Sequence, residues 1–254
     1  EKRIAELSSS KNKMGVPLIV EIPEKPSKKA TKKAVEKTDQ KPILTDEQQN
    51  AKAIIDGYIE ESKYKNILLH GVTGSGKTEV YMEIIEYALS QGLDSIVLVP
   101  EISLTPQTFD RFYRRFNVPV SSVHSALSDR ERLDSYIDMA TGNSGILIGT
   151  RTAVFTPIKY LGLIVIDEEH DSSFKQNDTF RYHARALAIM RAKINNCPIV
   201  LGSATPSLES IYNVQIGLYK KLDLTIRAKG ATLPKIELID LRNEPLTDGL
   251  KTGI

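Results

Sequence analysis

From Thr45 onward, apolar runs of strand length alternate with stretches of helical period. The predicted strands are 66–70, 95–99, about 120–124, 145–149, 163–167 and 198–202. Runs such as Ser95-Ile-Val-Leu-Val99 and Leu163-Ile-Val-Ile-Asp167 are continuous rather than alternating, the pattern of strands covered by helices on both faces. A helix is predicted over 46–62, with Thr45 as its N-cap and Gln48 three residues on, as in a capping box. Another follows Gly76, with Val80, Ile84, Tyr87 and Ala88 on one face and Glu79, Glu83 and Glu86 on the other. Alternating β and α elements of this kind predict an α/β fold, a doubly wound parallel sheet with helices on both faces.

The first 41 residues follow neither period. Between Lys25 and Lys41 lie seven lysines, opposed by Glu36 and Asp39 and accompanied by Pro26 and Pro42. Such a segment buries too little apolar surface to offset the entropy of ordering it, so 1–41 reads as a Lys-rich linker or the remnant of an upstream domain. A nucleic-acid-binding arm is the alternative reading of the same lysines. Residues 14–22 read as a short strand left over from such a domain. The α/β unit is expected over 42–230. Lys235-Ile-Glu-Leu-Ile-Asp-Leu241 looks like the first strand of something further, which places 231–254 at the start of a second unit. A chain that opens on Glu1 rather than methionine fits a fragment.

With 254 residues there is room for one large α/β domain and an appendage. A net charge of +2 gives no global affinity for polyanions, so any nucleic-acid surface must come from local clustering. The single cysteine, Cys197, excludes a disulfide or a multi-cysteine metal site within the chain, and it reads as a packing residue. No apolar run approaches about 20 residues and no signal-peptide pattern opens the chain, so a cytoplasmic protein without membrane contact is expected.

The chemistry starts at Gly71-Val-Thr-Gly-Ser-Gly-Lys77-Thr78, which fits G-x-x-x-x-G-K-[ST] at every fixed position. A strand precedes it and a helix follows, the context a phosphate-binding loop requires. Gly71, Val72, Thr73, Gly74, Ser75 and Gly76 would curl the backbone so that N–H groups meet phosphate oxygens, and the helix N-terminus adds positive potential. Lys77 would reach the β- and γ-phosphates of ATP, and the Thr78 hydroxyl would hold Mg²⁺.

A second acidic element follows the strand Leu163–Ile166: Asp167-Glu-Glu-His170. A carboxylate at the end of a hydrophobic strand is the Walker B arrangement, with Asp167 on the metal side and Glu168 suited to orient or deprotonate the attacking water. Glu169 is expected in solvent. His170 reads either as a structural histidine or as a relay that senses the γ-phosphate. Ser203 and Thr205 in Gly202-Ser-Ala-Thr205 can hydrogen-bond across to the acidic box, although a generic turn accounts for them equally well.

These three elements, in this order, look like motifs I, II and III of superfamily 2 helicases. Gly71-Val-Thr-Gly-Ser-Gly-Lys-Thr-Glu-Val-Tyr81, Val99-Pro-Glu-Ile-Ser-Leu-Thr-Pro-Gln107, Ile148-Gly-Thr-Arg-Thr-Ala-Val-Phe-Thr-Pro157, Asp167-Glu-Glu-His-Asp-Ser-Ser-Phe-Lys-Gln176, Arg181-Tyr-His-Ala-Arg185 and Gly202-Ser-Ala-Thr-Pro206 closely resemble the PriA family of replication-restart helicases, over roughly residues 44–241. The resemblance implies a RecA-like fold and makes Gln48 the reader of the adenine edge. It puts Thr105 and Gln107 in a motif Ia, and Thr150 and Arg151 in a motif Ib, both facing single-stranded DNA as donors to its phosphates. Residues 171–185 look like the aromatic-rich loop that couples DNA binding to hydrolysis. There Phe174, Phe180, Tyr182 and His183 interleave with Lys175, Arg181 and Arg185, so bases can stack and phosphates be neutralised. The family usually carries tryptophan near position 180, aspartate at 186 and glycine at 126, where this chain has Phe180, Ala186 and Ala126.

The resemblance therefore implies the ATP- and Mg²⁺-binding first lobe of a 3′→5′ DNA helicase that acts at stalled forks. Implied partners are single-stranded and forked DNA, other primosome proteins and single-stranded DNA-binding protein. Zinc would belong only to parts of the relatives outside this chain. A nucleotide-responsive DNA or protein docking module without turnover, and another DExH motor acting on RNA, are the alternatives.

Overall fold

The computed structural model describes residues 41–227 apart from 117 and 179. The expectations for 1–40, including the strand at 14–22, and for 228–254 lie outside the described residues. Helix α1 (Asp46–Glu60) starts on the predicted capping box. The Thr45 N–H donates to Gln48 Oε1 at 2.9 Å, and the Gln48 N–H donates to Thr45 Oγ1 at 3.3 Å. After β1 (Lys65–Gly71), α2 (Lys77–Ser90) and β2 (Asp94–Leu98), helix α3 (Pro106–Arg115) opens with Thr105 as cap and proline in its first turn, where no N–H is needed. Then come β3 (Val120–Val123), α4 (Asp129–Thr141), β4 (Ile146–Gly149) and β5 (Leu161–Ile166). A two-stranded hairpin, β6 (Lys175–Gln176) and β7 (Tyr182–His183), leads into α5 (Ala184–Ile194). The described chain closes with β8 (Pro198–Ser203), α6 (Leu208–Gln215) and β9 (Tyr219–Leu224).

Seven strands form one parallel sheet in the order β3-β4-β2-β5-β8-β1-β9. The continuous apolar runs divide by parity between two cores, which is why they do not alternate in sequence. Ile67, Leu69, Val97, Val165 and Val200 pack with α1, α2 and α3. Leu68, Ile96, Leu98, Ile164, Ile166 and Leu201 pack with α4 and α5 on the other face, where buried Cys197 also sits. The expected doubly wound α/β fold is thus present. Strand β9 was not foreseen. Its signal is a short alternation, Lys221-Leu222-Asp223-Leu224, with the leucines buried and the charges exposed, as suits an edge strand with one wet face.

One consequence of strand order matters for the site. β8 lies between β1 and β5, so the phosphate loop, the Ser-Ala-Thr segment and the acidic box leave the carboxyl ends of three adjacent strands. That end of an open α/β sheet is where ligands bind.

Candidate nucleotide and nucleic-acid sites

Gly74 and Gly76 both take left-handed backbone angles (φ 79° and 81°), which tighten the loop between β1 and α2. The Ser75 N–H closes a turn onto the Val72 carbonyl at 3.0 Å. Lys77 starts α2, is buried, donates to the Gly71 carbonyl at 3.0 Å and lies 3.9 Å from Glu168 Oε1. A helix start leaves N–H groups without intrahelical partners, and these face the loop's ligand side. The Ser75 hydroxyl is buried without a partner, a polar group that a phosphate would satisfy.

Gln48 is buried, and its amide donates to the Ser75 carbonyl at 2.8 Å while its carbonyl serves the α1 cap. In this structure it braces the phosphate loop rather than presenting an edge to a base.

Asp167 follows β5 directly. Its Oδ1 accepts the Tyr81 hydroxyl at 3.1 Å, and burial, with the Glu168 charge added, raises its carboxyl above the usual range. Asp167 and Thr78 line one cavity of about 290 Å³ together with Thr105, Gln107 and Arg111. A hydroxyl and a carboxylate sharing a wall suit Mg²⁺, which is bound by few protein oxygens and otherwise by phosphate and water. Among the described residues no cluster of three His, Cys, Asp or Glu could hold an ion by itself. Thr105 and Gln107, expected to face DNA, are exposed and share this cavity wall with Thr78 and Asp167, with Thr105 also occupied in capping α3.

Glu168 takes a left-handed angle, φ 46°, unusual for a residue with a side chain and costing on the order of 1 kcal/mol. The turn points its side chain toward Lys77 and leaves it about one-third exposed. His170 Nδ1 is 2.8 Å from the Ser203 hydroxyl, Nε2 is 3.4 Å from that of Thr205, and Glu168 Oε2 lies 3.7 Å from Nδ1. The histidine thus joins the acidic box to the end of β8.

Several expectations are corrected. Glu169 is wholly buried, not solvated: Arg185 pairs with it and the Ser207 N–H donates to Oε1 at 2.7 Å. Arg185 is thereby committed to Glu169, with a second bond to the Ser207 hydroxyl and its other guanidinium nitrogen 3.8 Å from exposed Glu209. Phe174 is fully buried in the core under α5, because the 3₁₀ turn Ser172–Phe174 folds it inward, so it offers no ring to a base. Thr150 is buried beneath the segment Arg151–Phe155, its N–H on the Val123 carbonyl at 3.0 Å.

Of the other members of the aromatic-rich loop, Lys175, Phe180 and Arg181 are exposed, while Tyr182 and His183 are half-buried. Lys175, Gln176, Asn177, Arg181, Tyr182 and His183 line an open cavity of about 520 Å³ beside the β6–β7 hairpin. Phe180 is exposed and packs against Tyr182, with ring centres 5.8 Å apart. Phe155 joins them edge-on at 5.0 Å from Tyr182. Burial, and then Arg185, push the His183 imidazole below its ordinary pKa, which keeps the ring neutral near pH 7. Arg151 reaches Glu101 at 3.1 Å and the Ser173 carbonyl at 3.2 Å. Sequence reasoning did not single out Phe155, Tyr81 or Gly202. A phenylalanine set among threonines in the Arg151–Pro157 run was the only sequence sign for Phe155, whereas the other two act only through contacts distant along the chain.

Comparison with known families assigns residues 45–214 to the DEAD/DEAH box helicases. The chain belongs to that family. It is 47% identical over 212 residues to the replication restart protein PriA of Bacillus subtilis, an alignment covering 84% of this chain and 26% of that protein. With PriA of Haemophilus influenzae the identity is 54% over 183 residues, 72% of this chain and 25% of the relative. The chain thus spans about a quarter of the length of these curated relatives. A structure of RecG bound to a three-way DNA junction superposes with a TM-score of 0.55 at 25% identity, over 72% of this chain and 24% of RecG. The DEAD/DEAH box helicase domain implies use of ATP and Mg²⁺. Among the described residues no helix is long and apolar enough to cross a membrane.

Proposed function

We propose that this chain is the ATP-binding first motor lobe of a 3′→5′ DNA helicase of replication restart, cytoplasmic and acting on single-stranded and forked DNA. The observation that carries the reading is the cavity shared by Thr78 and Asp167, with buried Lys77 bridging the loop and Glu168 beside it. In this reading Lys77 neutralises the β- and γ-phosphates, and Glu168 orients the attacking water. Thr78 and Asp167 hold Mg²⁺, which supplies charge neutralisation in phosphoryl transfer. His170, Ser203 and Thr205 carry the state of that site to the end of β8. Phe180, Tyr182 and Phe155, with Lys175 and Arg181, grip a single strand by stacking and charge, without sequence preference.

The motor unit is taken as 42–230. A second lobe would supply the stimulating arginine, and arginine fingers are worth about 10³–10⁵ in rate. On this reading the chain binds ATP yet hydrolyses it slowly alone. Primosome proteins and single-stranded DNA-binding protein are the proposed partners, and zinc has no place within this lobe. The test is binding of a fluorescent ATP analogue with Mg²⁺, compared with Lys77→Ala. Loss of binding in the variant is expected, and equal binding by both would refute the reading. Comparing DNA with RNA as stimulator of ATP hydrolysis in the full-length protein tests the nucleic-acid class.

A further inference from the structure

Tyr81 stands three residues after Thr78 and four after Lys77, so all three share one face of α2. It is 1% exposed and among the largest fully buried side chains of the fold. A buried tyrosine hydroxyl needs a partner, and backbone carbonyls are the common choice. Here the partner is Asp167 Oδ1 at 3.1 Å, 86 residues away in sequence. The hydroxyl reaches it through a slot made by Gly202 on β8, where a Cβ would overlap the Tyr81 oxygen. The slot is itself anchored, because the Gly202 carbonyl accepts the Glu169 N–H at 3.0 Å. One phenol therefore links the phosphate-loop helix, the metal-side carboxylate and the strand that ends in Ser-Ala-Thr.

We infer that Tyr81 is a positioning residue for the metal: its hydroxyl sets the orientation of the Asp167 carboxylate, and residue 202 is glycine to admit that hydroxyl. Without the bond, only the Glu168 backbone N–H and the Lys77 charge hold the Asp167 carboxylate against repulsion from the Glu168 side chain. Groups that orient metal ligands typically contribute 10–100-fold to metal affinity. The inference rests on the proposed nucleotide reading.

The test titrates Mg²⁺ against binding of a non-hydrolysable fluorescent ATP analogue to the full chain. Tyr81→Phe keeps the ring and removes the hydroxyl. It should raise the Mg²⁺ concentration for half-maximal binding about 10–100-fold, leave binding in EDTA within about twofold, and be rescued by excess Mg²⁺. Gly202→Ala should raise the Mg²⁺ requirement similarly by displacing the phenol. Because both act on one bond, while a Cβ at 202 would still press on the ring at 2.8 Å from Cζ, the double variant should lose less than the sum of the two single effects. An unchanged Mg²⁺ midpoint in Tyr81→Phe, a defect that excess Mg²⁺ does not relieve, or additive losses in the double variant would overturn the inference while leaving the nucleotide site standing. Binding by the unsubstituted chain that ignored Mg²⁺ altogether would overturn both.

Discussion

Glu169 Oε1 accepts the Ser207 N–H at 2.7 Å, beyond the end of the sheet and across 38 residues of sequence. With Arg185 on the same carboxylate, the buried charge is paired and hydrogen-bonded, which makes it tolerable in the interior. Removing one partner of such a pair typically costs about 3–5 kcal/mol. Glu169→Ala is therefore expected to lower stability by that amount, read as a fall in the urea midpoint at pH 7. A solvated glutamate would lose almost nothing.

Glu168 stands close to Lys77 in a strained turn, and the role proposed for it is chemical rather than structural. Glu168→Gln should leave ATP affinity within about threefold and reduce turnover in the full-length protein by about 10²–10⁴, the usual contribution of a positioned base. Single-turnover hydrolysis and equilibrium binding, measured on the same preparation, separate the two effects.

Arg151 is held by Glu101, an acid that a DNA phosphate would have to displace at the contact expected there. Exposed pairs of this kind contribute little to stability, about 0–1 kcal/mol. Glu101→Gln should accordingly tighten single-stranded DNA binding without changing the unfolding midpoint. Arg151→Ala should weaken binding and lower the slope of log K against log salt by about 1. Fluorescence anisotropy at a series of salt concentrations reads both.

The aromatic residues divide by burial. Phe180→Ala and Tyr182→Ala should each cost about 1–3 kcal/mol of single-strand affinity, as lost stacking platforms do. Phe155→Ala should weaken binding in the same assay, since its ring packs edge-on to Tyr182. Phe174→Ala should instead cost about 3–5 kcal/mol of folding stability, because it empties a core position. Comparable DNA defects in all four variants, with unchanged stability, would contradict this division.

Asp94 heads β2, is buried, and accepts the Tyr160 N–H at 3.0 Å; burial pushes its carboxyl up to about 6, well above the ordinary carboxylate range. The folded state therefore holds this proton more tightly than the unfolded chain. The stabilisation is complete below about pH 4 and is lost as pH rises through about 6. Asp94→Asn keeps an acceptor for Tyr160 and removes the buried charge. It should stabilise the protein by about 1–3 kcal/mol at pH 7.5 and have little effect at pH 4, comparing urea midpoints at the two values.

The elements most legible in the chain are those whose cause is local. Thr45 and Gln48 cap α1 as their spacing predicts, and the unbroken run of apolar residues from Leu163 to Ile166 announces a strand covered on both faces. The phosphate loop is equally local, since its glycines, lysine and threonine act within eight consecutive positions. Glu169 and Phe174 were misread because exposure is not a local property. An acidic box and an aromatic-rich loop look solvent-facing until Arg185 and α5 fold over them.

Sequence by itself therefore settled the chemistry on offer, a phosphate cradle with an acidic strand end, and the doubly wound sheet that carries them. Tertiary structure alone decided how those parts meet. It inserts β8 between β1 and β5, seats Tyr81 against Asp167 through Gly202, and brings Thr105 and Gln107 onto one cavity wall with Thr78 and Asp167. The physical reason is that strand order and burial arise from packing between residues tens of positions apart, which no period along the chain records.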